Sequence, residues 1–430
     1  MITSSFDGKQ FDVVVCGAGS AGIAAAHSAA RAGARVLLLE RHGFAGGIVT
    51  AAMIHTLDAS KSCVDHGVEV VGGFAAELIR ETLALGGAAT ADNPGEALTL
   101  HPEMYKVAID RLLDRAGVTL LYHANVCGVM QEGNRVTGVE AALRDGRARI
   151  AAGAVVDGTG EAEIAHHAGA RWNLDRDLQA MTCHFRLGNL GARHTWSEWE
   201  EILGAAMTDA PAEGEIKVFG GPWIIRLNDG EISINSTRVY GNPVDPVELS
   251  RAETEGRARM LDTWNILRRR VPALKDSYIL TGASQLHIRE SRKLVGAYTL
   301  TEEDIRTSRT FVDSIAVGAW PIDIHPTNGY VGVHPHKDDA PVPYEIPYRC
   351  LVPEQIDGLL VAGKPISTTH RAHGSTRVPG TSLATGQAAG VAAALAVRSG
   401  KNLRALEVGA LREALLRQGA RVSAPAKSAA

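Results

Sequence analysis

Three glycines, Gly17, Gly19 and Gly22 in the run Gly17-Ala18-Gly19-Ser20-Ala21-Gly22, have the spacing that a pyrophosphate needs. Gly17 permits a tight turn. Gly19 removes the side chain where backbone must approach phosphate oxygens, and Gly22 lets a helix pack closely on a strand. Ser20 and Ala21 lie in the turn before that helix, whose free N–H groups and positive dipole end favour anions. Glu40 lies about 20 residues further on, where a carboxylate accepts hydrogen bonds from ribose hydroxyls. The same charge would repel a 2′-phosphate, which disfavours NADP.

Three polar segments could handle protons or anions. In His287-Ile288-Arg289-Glu290-Ser291-Arg292-Lys293, charges this dense beside a strand must face water or pair. One reading is an ion-pair network between lobes. The other is anion binding by Arg289 or Arg292, whose guanidinium forks match carboxylates and phosphates. In Trp320-Pro321-Ile322-Asp323-Ile324-His325, the imidazole can take a hydroxyl or amine proton while hydride leaves the adjacent carbon. Asp323, two residues away on the same expected strand face, could hold that ring. The third segment contains His370, His373 and Arg377, just before an Ala/Gly-rich helix. Tyr344, in Pro343-Tyr344-Glu345, is a candidate pocket-lining residue. His334, His336, Asp338 and Asp339 fit no standard metal spacing, so a solvated loop and no metal are expected there.

These residues need elements to position them. Phe11 to Val15 reads as a buried strand, Ile23 to Ala32 as a helix stopped by Gly33, and Arg35 to Leu39 as a second strand ending at Glu40. The fingerprint therefore sits in a complete strand–helix–strand unit. Val118 to Met130, Gly138 to Ala142 and Arg147 to Ala152 read as a small inserted sheet. Met181 to Leu187, Ile216 to Phe219, Trp223 to Leu227, Ile232 to Thr237 and Gln285 to Ile288 read as a second sheet. Pro246 to Val271 has helical spacing, with Asp245 as N-cap.

The choice of cofactor comes from Arg41-His42-Gly43-Phe44-Ala45-Gly46-Gly47-Ile48. A glycine pair here lets backbone N–H groups grip an extended FAD, a grip that NAD-linked dehydrogenases usually do not need. The arrangement resembles the two-dinucleotide-binding-domain, glutathione-reductase-like flavoprotein superfamily, and within it the FAD-dependent oxidoreductases. The resemblance covers most of residues 10–175 and 280–400. It implies FAD contacts at Arg41, Gly46, Gly47 and Ile48, adenine contact at Val126, and cofactor contact at Gly158 and Gly363. Lys364 stands where many members have Asp. It also implies that Pro379, Gly380, Thr381 and Ser382 begin a helix aimed at the flavin ring. His373 and Arg377, just before it, become flavin or substrate contacts.

The expected fold is α/β: a Rossmann-type FAD-binding domain with a parallel sheet, helices and a small inserted sheet, plus a mixed-sheet substrate or cap domain. The expected boundaries are 10–175, 176–345 and 346–415, with 418–430 as a disordered tail. The 430 residues, 45% apolar, suffice for two or three lobes. The net charge of −4 argues against nucleic acid, and five scattered cysteines argue against a disulfide framework. No signal-like start or membrane-spanning run is evident, so the expected location is the cytoplasm. The expected function is FAD-dependent oxidation of a small C–OH or C–N substrate by hydride transfer to flavin N5, with a histidine base. Candidate catalytic residues are His325, His373, Arg289 and Arg377, and candidate substrate contacts are Tyr344 and Arg292. The electron acceptor would be oxygen, a quinone or a carrier protein, and the chain could form homo-oligomers. A flavin-dependent monooxygenase and a non-catalytic FAD-binding protein are the alternatives.

Overall fold

The computed structural model describes residues 2–58, 69–89, 98–210, 213–216, 219–228, 230–325 and 343–425, without side chains at 226 and 227. The nucleotide-binding sheet has seven strands: β1 (Gln10–Cys16), β2 (Val36–Leu39), β3 (Thr119–Leu121), β4 (Asn125–Glu132), β5 (Arg135–Leu143), β6 (Gly146–Asp157) and, late in the chain, Leu359–Val361. The order is β3-β2-β1-β6-β5-β4, and Leu359–Val361 pairs in parallel with the second half of β6. β1 is parallel to β2 and β6, with Cys16 level with Leu39 and Asp157. The ends of all five parallel strands therefore open on one edge, where doubly wound sheets bind ligands.

β3 belongs to the parallel sheet, so the expected single strand from Val118 to Met130 is in fact two. His123, with φ 55°, breaks the chain between them. Only β4, β5 and the first half of β6 form the inserted antiparallel part.

One sheet face is covered by α1 (Ser20–Arg31) and by a long late helix, Pro379–Ser399. The two helices touch through small residues. A Cβ on Gly386 would lie 2.1 Å from the Ala21 carbonyl, and one on Gly390 would lie 2.0 Å from that of Ala25. Pro379–Ser399 is the one helix among the described residues long and apolar enough to cross a bilayer, and 83% of its tested window is buried inside the protein.

The second lobe is built on an antiparallel sheet of β7 (Phe185–Gly188), β8 (Phe219–Asn228), β9 (Glu231–Thr237) and β10 (Tyr278–Gly282), in the order β8-β9-β7-β10. Helices Trp196–Thr208 and α2 (Pro246–Arg270) close its core around Trp199, Phe185, Ile234 and Leu267. Thr195 and Glu198 form a capping box on the first, and Asp245 caps α2 by accepting from Val247 and Glu248. The sheet is not mixed. Its fourth strand is β10 rather than Gln285 to Ile288, which makes a single bridge from His287 to Thr182.

The boundary at 345 also shifts. Leu300, Ile305, Phe311 and Ile315 pack in the core of the nucleotide-binding lobe, so the second lobe ends earlier than residue 345. β11 (Ser314–Gly318) and β12 (Tyr344–Pro347) pair antiparallel against that core, followed by β13 (Leu359–Val361), α3 (His370–Thr376) and α4 (Pro379–Ser399). The start of the expected disordered tail is docked. Val422 is buried, its carbonyl accepts from Ser314 Oγ at 2.6 Å, and Ala424 donates to Glu345. Residues 426–430 lie outside the described part. Cys16, Cys183 and Cys350 are buried, whereas Cys127 is exposed.

Candidate active site

The cradle is assembled by backbone. Gly17 has φ +87°, and a Cβ there would lie 2.8 Å from the Gly158 carbonyl. Gly22 admits no side chain, because its Cβ would meet the Gly17 carbonyl at 1.7 Å. Gly46 donates to the Ala18 carbonyl at 2.8 Å, and Gly47, at φ +55°, rests on Gly19 with room for no Cβ. The glycine pair therefore packs directly on the fingerprint. Glu40 braces the same turn: its carboxylate accepts from the Ala18 N–H at 2.7 Å and from the His42 N–H at 2.8 Å.

Gly19 differs from its neighbours. A Cβ on it would meet no protein atom nearer than 3.8 Å, so its bareness serves the groove rather than the fold. Above it run two contiguous clefts of about 560 and 720 Å³ that share Gly19, Arg41, Gly47, Gly158, Thr159 and Gln285. The first continues to Glu40 and Val126, the expected adenosine end. The second continues over Ser20, Ala21 and Ile48 to Gly363, Lys364, Arg377 and Ser382. Ser20 Oγ is buried there without a hydrogen-bond partner. A long groove with bare glycine at one point and an orphaned hydroxyl beside it fits an extended dinucleotide.

The Pro379–Thr381 helix start approaches this groove through Ser382. The Gly380 N–H, however, is spent on the Asp58 carbonyl at 3.0 Å. Lys364 donates to Glu161 and to the Ile288 carbonyl, both at 2.6 Å, tying the cradle to the second lobe.

Beyond the groove lies a polar cluster in which Asp323 and His325 are half-buried and Arg289, Arg377 and His373 are buried. His325 Nε2 is 3.2 Å from Asp323 Oδ2, and the same oxygen accepts from Arg377 at 2.7 Å. The segment is not a strand, so the expected His–Asp contact arises from a loop. Burial would raise the Asp323 carboxyl, but His325 and Arg377 outweigh it and hold the group well below the usual carboxylate range. Burial pushes His325 down to about 3, against the pull of Asp323 and with help from Arg289. His325 is therefore neutral at physiological pH.

Arg289 is fully buried and donates to the Ala180 carbonyl at 2.6 Å and to Thr182 Oγ1 at 2.5 Å. His373 is buried with Nδ1 unpartnered, and burial holds it neutral against the nearby Glu290. The structure thus brings His325, His373, Arg289 and Arg377 into one region. It adds residues that the sequence reading missed: Arg238, His184, His55 and Asp58. His184 sits inside the expected strand Met181 to Leu187, and Arg238 directly follows the expected strand Ile232 to Thr237. A titratable residue within or at the end of an expected strand was the available signal.

Two expected substrate contacts are absent from the linings of the two described clefts. Tyr344 is fully buried in the main core with its hydroxyl 2.6 Å from Ser375 Oγ, and it is absent from the linings of the described clefts. Arg292 points away from Arg289, lying over Trp172 and reaching the Glu161 carbonyl. Glu290, Asp175 and His370 converge as metal ligands could, but the Lys293 ammonium occupies that space, 2.6 Å from Glu290 and in contact with Asp175. The ion-pair reading thus holds for Glu290 and Lys293 while Arg289 stands apart. Residues 326–342, including His334, His336, Asp338 and Asp339, lie outside the described part.

The buried histidines set a pH dependence. Burial lowers His27 to about 4 and His55 to about 3, and holds His184, His287 and His373 well below 6.5. An unfolded chain therefore binds more protons than the folded one below pH 6.5, and stability falls on acidification. His370, raised by its bond to Glu290, acts in the opposite sense, as do Asp58, Asp157 and Glu163, whose carboxyls burial raises. The five lowered histidines outnumber these four. Each neutral buried histidine should forfeit roughly 1–2 kcal/mol by about pH 5. Calorimetry should show the Tm falling between about pH 7.5 and about pH 5; a Tm that is flat or rises on acidification contradicts this.

A groove at the carboxyl edge of a parallel sheet, roofed by an antiparallel lobe, defines a dinucleotide-binding oxidoreductase architecture. A model of the FAD dependent oxidoreductase family matches residues 12–415. The chain belongs to that family and is an FAD-dependent oxidoreductase. It is also similar to digeranylgeranylglycerophospholipid reductases 2 and 1 of Methanopyrus kandleri, with 33% identity over 187 residues and 35% over 178. Each match covers 40% of this chain, and 43% and 46% of the respective relative, so the chain matches less than half of either.

Two solved structures share the fold. One is a geranylgeranyl bacteriochlorophyll reductase-like protein from Thermoplasma acidophilum (TM-score 0.51, 13% identity, 96% of this chain and 84% of that one). The other is a triple mutant of the flavin-dependent brominase Bmp2 (TM-score 0.52, 13% identity, 94% and 84%).

Proposed function

We propose that this flavoprotein, of the glutathione-reductase-like type, oxidises a small molecule at a C–OH or C–N carbon. The observation that supports this most is the Arg377–Asp323–His325 chain, in which Arg377 also lines the cofactor groove. Bound FAD supplies a ring that accepts hydride and whose electronics the protein tunes. Gly17, Gly19 and Gly47 shape the phosphate cradle, and Glu40 and Val126 line its adenosine end. Asp323 accepts from His325 Nε2–H, which fixes the tautomer and leaves the Nδ1 lone pair for the substrate proton. The C–H pair leaves as hydride and the O–H or N–H proton goes to Nδ1. Arg377 keeps Asp323 ionised so that the positive imidazolium is stabilised once formed. Reoxidation would be by oxygen, a quinone or a carrier protein.

A second reading follows from the curated relatives, which are reductases: electrons would flow from reduced flavin to substrate. Monooxygenation is a third. Anaerobic screening of hydroxy, amino and keto compounds separates them. Substrate bleaching of oxidised flavin without NAD(P)H supports oxidation. Bleaching by NAD(P)H alone, followed by reoxidation with an added acceptor substrate, supports reduction. Product that forms only with oxygen and carries its atom supports monooxygenation.

A further inference from the structure

Arg238 and Arg289 are both buried, 4% and 1% exposed, and hydrogen-bond to the same two neutral acceptors. Thr182 Oγ1 takes 3.1 Å from Arg238 and 2.5 Å from Arg289, and Asn235 Oδ1 takes 3.1 and 3.4 Å. Two guanidinium groups therefore lie side by side, and among the described residues no carboxylate hydrogen-bonds to either. Asp323, the carboxylate of this cluster, is already bonded to Arg377 and His325. Asp58, near Arg377, is pushed up to about 6 by burial. Among the described residues, three arginines thus face one committed carboxylate and one weak acid, which leaves one buried positive charge in excess. Such a charge is costly unless an anion meets it.

Donors for that anion are in place. Arg289 Nε and Arg377 Nε are buried with no partner, as is His287 Nδ1; neither ring nitrogen of His184 is partnered, so the one N–H of its neutral ring is also free to donate, and the ring lies tilted 5.9 Å from that of His287. His287 and Arg377 line the cofactor groove, so the cluster is continuous with it. Gly220 makes room for Arg238, since a Cβ there would lie 2.5 Å from its Nε.

We infer that Arg238 and Arg289, with His184 and His287, form a carboxylate subsite beside the flavin, so that the substrate is a small organic acid oxidised next to its carboxylate. The oxidation half of this rests on the function proposed above; the carboxylate half rests on the cluster. A planar monoanion matches a guanidinium edge and the charge in excess, whereas a phosphoryl dianion overshoots it.

The probe is 2-hydroxy-2-methylpropanoate, which has no C–H to lose, compared with its neutral amide and with inorganic phosphate, on the purified holoenzyme. Flavin absorbance shifts and Tm are read. The acid is expected to bind at least about tenfold more tightly than the amide or phosphate. Arg238→Gln and Arg289→Gln should each weaken it by about tenfold or more, with Arg238→Lys recovering part of the loss. Equal binding of acid and amide, or preference for phosphate, overturns the subsite even if every arginine variant fails to fold. Acid binding with no anaerobic bleaching by any 2-hydroxy or 2-amino acid leaves the subsite standing and overturns only the oxidation.

Discussion

Asp323→Asn is expected to lower the rate of anaerobic flavin reduction by about two to four orders of magnitude, the range that a positioned general base contributes, while FAD content stays unchanged. The amide can present its NH₂ to the imidazole and favour the wrong tautomer. It also leaves Arg377 without its counter-charge and removes the anion that stabilises imidazolium. His325→Gln should lose a similar factor. The double variant should lose little more than either single one, because the two groups act as a unit. The wild-type profile carries a further sign. With His325 pushed down to about 3, its base form persists through the acidic range, so the reduction rate should show no acid limb near 6.5. The measurement is stopped-flow reduction across pH for all four proteins. An acid limb at the ordinary histidine value, or additive losses in the double variant, would exclude the pair as base and orienter.

Gly19→Val should abolish FAD binding in a protein that still folds. The backbone at Gly19 is extended, at φ −72° and ψ −176°, which valine adopts readily. Its Cβ would meet no protein atom nearer than 3.8 Å. The added methyls therefore fill the groove rather than the core, and affinity should fall by two or more orders of magnitude, as roughly 3 kcal/mol of lost phosphate contacts implies. Gly22→Ala offers the contrast. There the Cβ would sit 1.7 Å from the Gly17 carbonyl, so folding and FAD are lost together. Circular dichroism and flavin release on heating distinguish the two. A Gly19→Val protein that keeps one FAD per chain would refute the cradle as drawn.

The nucleotide end was legible in the sequence because its information is local. Strand, Gly17-to-Gly22 turn, helix, strand and Glu40 follow within one unit, and backbone conformation alone dictates the glycines. The polar cluster is the opposite case. It draws on His184, Arg238, His287 with Arg289, Asp323 with His325, and Arg377, five segments that meet only through tertiary packing. Spacing could place Arg289 and Arg292 in one charged run. It could not show that one enters the cluster while the other crosses Trp172. Tyr344 was drawn into the core by its neighbour Gly318, whose Cβ would overlap the ring at 2.4 Å. The docked start of the tail escaped notice because Val422 is a single apolar anchor in a polar stretch.

The most direct measurement is single-turnover anaerobic reduction of the bound flavin by a 2-hydroxy or 2-amino acid carrying deuterium at the oxidised carbon. Slower bleaching with the labelled compound, with the label recovered in reduced flavin or solvent and no NAD(P)H required, is the predicted result. Flavin that stays oxidised with every such acid, yet bleaches at once with NAD(P)H, would contradict it.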